Sequence, residues 1–506
     1  MTEAVAWLVI LAIAAILRLP DLAGRGTWDA DQGHDMLVLR HLAFDGQIPL
    51  LGPPTSIGDF HHGVLYYLLL APAAFVSGAD PVAVTTWIAL GGIVAVATTG
   101  WLARSIGGPW AGIVAGLVLA VSATAVAEST FIWNPNLIAL SSSIALAAAW
   151  RAHTTGRIRW WVVAGAASVV TMHCHVLGIA LTPVVAALLV ADWRARRPGV
   201  GRGALAWIAI GVLSYVPLAI HELEFDGSEL RALVAFVAGG GGSSSIALPA
   251  RIPIVFFRVL GWPLAGLLTD ALVAAFLASA LVAGIVVWRG WIDRAVPGPE
   301  RTAVRWLGLG LLWTVLALAV GAPSLATVVP GLPNDHYHAF ADPMVVALVG
   351  IGAAALIRSR HWAARLTAGL IVAAIVAFNV ATQPPAVAAD GGWRAALAAA
   401  QRIVANGAPR PWVIASIPSF KSDEAVRMPL EAIGAPLVAE PGDPPASRAT
   451  LIVLCDQLFR ETIGTDCGGP AEDAVAERNL GAVSVLDRFQ AAPGRWISVY
   501  RPGSGG

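Results

Sequence analysis

The feature that most constrains this chain is a repeated one. Apolar runs fall at about 4–20, 82–103, 109–127, 136–150, 160–173, 175–191, 204–220, 269–288, 306–321, 339–357 and 366–382. At a rise of about 1.5 Å per residue, each can cross a hydrocarbon core of roughly 30 Å with modest mismatch. The mean hydropathy is +0.71 and charged residues are 13% of the chain, which excludes a soluble globular fold. The expected fold is an all-α polytopic membrane domain of about eleven transmembrane helices over 1–382. The acidic and basic totals are equal at 32 each, and no basic tail offers a nucleic-acid surface. A twelfth apolar stretch, 62–77, is interrupted by Pro72 and is expected to be a re-entrant or juxtamembrane helix. Residues 2–17 carry Glu3 and lack a basic leader, so they read as a retained first span.

Arginine placement orients the bundle, because short cytoplasmic loops carry the basic excess. With the N-terminus inside, the inner loops hold Arg104, then Arg151, Arg157 and Arg159, then Arg194, Arg196, Arg197 and Arg202. Further on they hold Arg289, Arg294, Arg301 and Arg305, and finally Arg358, Arg360 and Arg365. The short outer loops around 128–135, 174 and 322–338 contain none. Eleven crossings with this alternation leave the C-terminus outside. Two outer segments are long, 21–81 and 221–268, and the second contains an amphipathic helix and a flexible run at Gly239–Ser245.

The tail, 383–506, changes character. It reads helix ("GWRAALAAAQRIVA"), strand ("PWVIAS"), helix ("SDEAVRMPLEAI"), strand ("TLIVLC"), helix, then two strands ("AVSVLDRF" and "RWISVY"). That alternation predicts a small extracytoplasmic α/β domain. Cys455 and Cys467 lie close together in it, and an oxidising compartment would permit a disulfide between them. Cys174 sits in an apolar helix and reads as a packing residue.

The first outer loop gathers charge that the rest of the chain avoids. "TWDADQGHDM", residues 27–36, places Asp29, Asp31, His34 and Asp35 within seven positions. Asp31 and Asp35 are spaced i, i+4, and Asp31 and His34 i, i+3, so all three share a helix face. Two carboxylates on one face either raise a pKa or bind a cation. The plainer reading is a solvated cap, with Asp29 as N-cap. Against it stands the company on the same side of the membrane: Asp59, His61, His62, Glu128, Asn134, Asn136, His173, His175, Asp335, His336, Tyr337 and His338.

These residues carry a resemblance. "LRLPDL", then "WDADQGHD", "GQIPLLGPPTS" and "HHGVLYYLLLAP", resemble the first outer loop of polytopic glycosyltransferases with the C-type fold. The nearest group is the bacterial family related to protein O-mannosyltransferases and the lipid A aminoarabinose transferase. Residues 104–140 and "NDHYHAFADPMVVALVG" are similar to later parts of that family, and the resemblance covers about 1–380, leaving out the tail. It implies a polyprenyl-phosphate-linked sugar donor and transfer to a glycan, lipid or protein acceptor of the envelope, on the outer face of a bacterial cell membrane. The family's acidic pair falls on Asp31 and Gln32, so the second acid is missing, although Asp35 lies one turn on. Asp31 is the candidate base for the acceptor hydroxyl. The departing phosphate needs nearby positive charge, for which Arg40, His61, Arg258, His336 and His338 are candidates. A divalent metal held by histidines and a carboxylate is the one cofactor left open, with no spacing that resembles a dedicated site. The alternative is a secondary transporter or lipid flippase, but span centres nearly free of ionisable groups and halves that do not repeat speak against it.

Overall fold

The computed structural model describes residues 2–55, 58–239, 244–327, 335–407, 411–418, 423–435 and 450–503. Among these, eight helices are long and apolar enough to cross a membrane: Pro81–Gly107, Val176–Arg194, Val200–Glu224, Leu248–Ala265, Leu272–Ile292, Gly298–Gly321, Asp335–Ile357 and Trp362–Ala381. Seven coincide with expected spans. The other expected spans form shorter or more polar helices: Glu3–Arg18, Pro109–Val121, Ile138–Thr155 and Ile158–Cys174.

The eighth, Leu248–Ala265, lies inside the segment expected to be an outer loop. Its mean hydropathy, 1.3, is the lowest of the set, because Arg251, Arg258, Pro253 and Pro263 interrupt the apolar pattern. Arg258 is nonetheless buried, and the helix packs tightly on Leu272–Val287, with Gly261 against Ala275. Tertiary partners hide the arginine that a hydropathy window penalises. Of the glycine-serine run expected as a flexible loop, 240–243 lie outside the described residues.

Local rules explain the helix ends. Asp80 caps Pro81–Gly107, accepting from the amides of Val82 and Ala83, with Pro81 at the first helical position. Gly46, Gly78 and Gly156 end helices in the left-handed conformation. Arg18, buried at the end of the first helix, donates to the carbonyls of Leu119 (3.0 Å) and Ala120 (2.7 Å), where Pro109–Val121 ends at Ser122. Alanine, leucine and valine dominate the core, and the alanines let helix backbones approach closely.

The residues after Thr382 fold as the tail pattern predicts. A helix, Gly392–Ala405, precedes β1 (Trp412–Ile417); Glu424–Ala432 is helical before β2 (Thr450–Asp456). Pro470–Leu480 then leads into the hairpin β3 (Val483–Ala492) and β4 (Arg495–Pro502). The sheet order is β1-β2-β4-β3, with β1 parallel to β2 and the remaining pairs antiparallel. Cys455 on β2 is disulfide-bonded to Cys467, with Cα atoms 5.6 Å apart.

This domain is docked on the segment that follows the first helix. Asp390 accepts from the Thr27 hydroxyl (2.6 Å) and the Trp28 amide (2.8 Å). Trp28, 3% exposed, rests on Trp393 with ring centroids 4.6 Å apart and donates its indole N–H to the Ala425 carbonyl at 2.9 Å. Arg495 donates to the Trp28 carbonyl (2.7 Å) and to Asp29 (3.0 Å), and Arg394 pairs with Asp21.

Candidate active site

The helix Ala30–Asp45 carries the acidic face. Gln32, its third residue, accepts from the Asp29 amide at 2.9 Å, the reciprocal contact of a capping box. The Gln32 amide nitrogen donates to the Ile132 carbonyl, also at 2.9 Å, and the side chain is 3% exposed. A carboxylate here would face that carbonyl without a proton to offer. The missing second acid of the sequence pattern is thus a structural amide in this chain. Asp29 caps the helix as expected but is also tied to Arg495 of the C-terminal domain, so it is more than a solvated cap.

Asp31, His34 and Asp35 line one cavity of about 490 Å³, a volume ordinary for a small-molecule site. Asp31 is exposed to it, and Asp35 is 2% exposed. Both Asp35 oxygens accept phenol protons, from Tyr66 at 2.7 Å and Tyr67 at 2.9 Å, at the start of the helix Leu65–Ser77. Burial pushes the Asp35 carboxyl up to about 7, while His34 and the two tyrosines pull it down and Asp31 adds to the rise.

The sign of that shift makes a prediction. A carboxyl whose pKa is raised on folding favours its protonated form in the native state. Its contribution is full below the unfolded value of about 4 and is lost as pH climbs through about 7. Asp35→Asn, neutral and isosteric, should therefore flatten the pH dependence, gaining on the wild type between pH 5 and 8. Thermal unfolding of the purified protein across that range measures it; parallel curves would show that Asp35 is not held protonated.

Opposite the acidic face is an aromatic wall. His62 and His175 have ring centroids 4.7 Å apart, and His175 stacks on Tyr337 at 4.3 Å. Trp133 and Phe60 complete the lining, with Phe236 from the helix Ser228–Ala238. Such rings present apolar area to the C–H faces of a ligand with little loss of conformational freedom. The Nδ1 of His62 accepts the Val176 amide (3.3 Å), and the Nδ1 of His175 accepts the Leu177 amide (3.2 Å). Rings held as acceptors in this way are neutral. For His62, burial above all, then His61, lowers the pKa to about 3.

The phosphate candidates scatter. Arg40 lies over the Phe44 ring at 4.8 Å and does not line the cavity. His61 is bound to Glu229 through its backbone amide (2.7 Å) and Nδ1 (2.9 Å), and borders a smaller neighbouring pocket. Arg258 is buried behind the wall: it pairs with Asp335 at 2.6 and 2.8 Å and donates to the carbonyl of Leu325, a lining residue. His338 holds the same Asp335 at 3.1 Å. His336 lies on Trp133, 4.0 Å between centroids, and its buried Nε2 has no hydrogen-bond partner among the described residues.

One lining residue escaped the sequence. Glu424, first residue of a helix in the C-terminal domain, lines the cavity, with Oε1 2.7 Å from the His34 Nδ1. Gly33 permits this approach, since a Cβ there would lie closer than 3.0 Å to the Glu424 carbonyl and the Ala425 nitrogen. A contact across 390 positions leaves no local signal. As to metal, among the described residues no group of three or more His, Cys, Asp or Glu side chains could hold an ion, and both Asp35 oxygens are engaged by phenols. The described residues do not fit a metal centre.

The chain has the C-type fold of polytopic membrane glycosyltransferases. ArnT from Cupriavidus metallidurans, the lipid A aminoarabinose transferase, superimposes in its apo state with a TM-score of 0.59 at 15% identity, over 98% of each chain. The same protein bound to undecaprenyl phosphate gives 0.61 at 13%, over 97% of each chain. An Archaeoglobus fulgidus oligosaccharyltransferase in complex with Zn and sulfate gives 0.51 at 13%, over 91% of this chain and 69% of that one. No protein-family model and no curated protein sequence matches. Coverage of 98% takes in the C-terminal domain, which the sequence resemblance left out.

Proposed function

We propose that this chain is a membrane glycosyltransferase that moves a hexosyl or pentosyl group from a polyprenyl-phosphate donor to a glycan, lipid or protein of the cell envelope. The observation that carries the reading is the exposed Asp31 carboxylate, in a cavity walled by aromatic rings, on the first outer loop of this fold. Undecaprenyl phosphate bound to ArnT supports a polyprenyl donor. In the reaction, Asp31 takes the proton of the acceptor hydroxyl as its oxygen bonds to the anomeric carbon. The bond from that carbon to the phosphate oxygen breaks, and its electron pair leaves with the lipid phosphate. Asp35, held by Tyr66 and Tyr67, fixes the floor beside Asp31. Purified protein given an envelope extract as acceptor and a panel of polyprenyl-phosphate sugars should consume one of them; a panel left intact by folded protein would remove the reading.

The reading places the protein in the bacterial cell membrane, with the N-terminus in the cytoplasm and the cavity and C-terminal domain outside. The alternating arginine loops support this, with Leu248–Ala265 lying on the outer side and adding no crossing, and a disulfide suits an oxidising compartment. A reporter fused after residue 506 should be active when it is one that works only outside the cytoplasm. Activity of a cytoplasm-restricted reporter at the same site would invert the topology.

A further inference from the structure

The cavity poses an electrostatic problem for any phosphate-linked substrate. Among the described residues that line it there is no arginine or lysine, while three acidic side chains face it: Asp31, Asp35 and Glu424. Three histidines line it too. His62 and His175 accept backbone amides at Nδ1 and are neutral. His34 differs, since its Nδ1 meets a carboxylate, Glu424, at 2.7 Å. A ring nitrogen facing a carboxylate at that distance carries the proton. The second ring nitrogen is then the one available to a bound group.

We infer that Glu424 is a positioning residue of the active site: from the C-terminal domain it holds His34 as an imidazolium, which supplies the positive charge that meets the donor phosphate. The inference rests on the glycosyltransferase reading. It also gives the C-terminal domain a task, that of completing the charge pattern of the cavity. Burial opposes protonation of His34, but the hydrogen bond and charge of Glu424, with Asp35 and Asp31 behind it, raise its pKa overall. Other groups bear less on it. On the Glu424 helix, Arg427 pairs with Asp423 at 2.6 Å and Glu431 lies 3.9 Å from His41; Tyr66 and Tyr67 are tied to Asp35. The docking site is built for this contact, through Gly33 and the indole bond from Trp28 to Ala425.

Equilibrium binding of undecaprenyl phosphate to the full-length protein in nanodiscs, between pH 5 and 9, tests it. Wild-type affinity should fall as His34 loses its proton with rising pH. Glu424→Gln keeps the shape and removes the charge. It should move that fall to lower pH and weaken binding at pH 7.5 on the order of tenfold, the loss expected for one charge-assisted contact. The phosphate and Asp35 titrate in this range as well, but in both proteins, so the difference between profiles reports His34. Glu431→Gln is the control, since it weakens a cross-domain histidine contact outside the cavity and should leave the profile in place. Identical profiles for Glu424→Gln and wild type, or equal shifts in the two variants, would overturn the inference and leave the function standing. No binding of undecaprenyl phosphate by the wild type at any pH would overturn both.

Discussion

Asp31→Asn should lower turnover by about 10²–10⁴-fold while donor binding changes little, because it removes the proton acceptor and keeps the shape. The expectation follows from the placement of Asp31: exposed on the cavity wall, one helical turn from the buried Asp35, with the acceptor hydroxyl's only required partner being a base. Asp29→Asn is the informative companion. Asp29 points to Arg495 rather than into the cavity, so its loss weakens a partly exposed ion pair at the domain contact. Such pairs contribute at most about 1 kcal/mol, and activity should change by no more than a few-fold. Single-turnover rates for both variants, with folding checked by size exclusion, make the comparison. Equal activity in the two would remove the catalytic assignment and return attention to the transporter reading.

Gly33→Ala should also lower activity, from a position with no chemistry of its own. Alanine is the better helix former by about 0.5–1 kcal/mol, so an isolated helix would gain. Here the added Cβ meets the backbone of Glu424 and Ala425, which cannot swing aside like a side chain. Either the Glu424–Ala432 helix lifts off the loop helix or both helices strain, at about 1–3 kcal/mol. Lifting removes Glu424 from the cavity and opens the wall, and turnover should fall on the order of tenfold or more. Hydrogen exchange over 424–432 should speed up in the variant. Gly369→Ala, on a membrane helix with nothing within 4 Å, should be neutral in both assays. Full activity and unchanged exchange in Gly33→Ala would show that the C-terminal domain is not seated as described.

What was legible in the sequence, and what was not, follows from the range of the interactions. Apolar runs and arginine alternation are local, and seven of the long helices were readable from them. The tail's strands alternate with helices in windows of a few residues, and the sheet follows. The acidic face of 31–35 is a matter of helical spacing, and the structure puts those residues in one cavity with His62, Asn134, His175 and Tyr337. Three things were hidden. Leu248–Ala265 reads as a loop because its arginine is neutralised by Asp335, 77 residues later. Gln32 reads as a lost acid because its partner, the Ile132 carbonyl, is 100 residues away. Glu424 reads as one more surface acid until the fold sets it against His34.

The central claim is that the sugar–phosphate bond is broken in this protein, and not that a lipid is merely carried across. The direct measurement uses proteoliposomes holding a polyprenyl-phosphate sugar labelled in both the sugar and the phosphate, with an envelope extract as acceptor. The expected result is parting of the two labels, sugar to acceptor and phosphate to free lipid, at a rate that Asp31→Asn reduces by at least about 10²-fold. Labels that stay joined while the intact lipid changes leaflet, in wild type and Asp31→Asn alike, would contradict it.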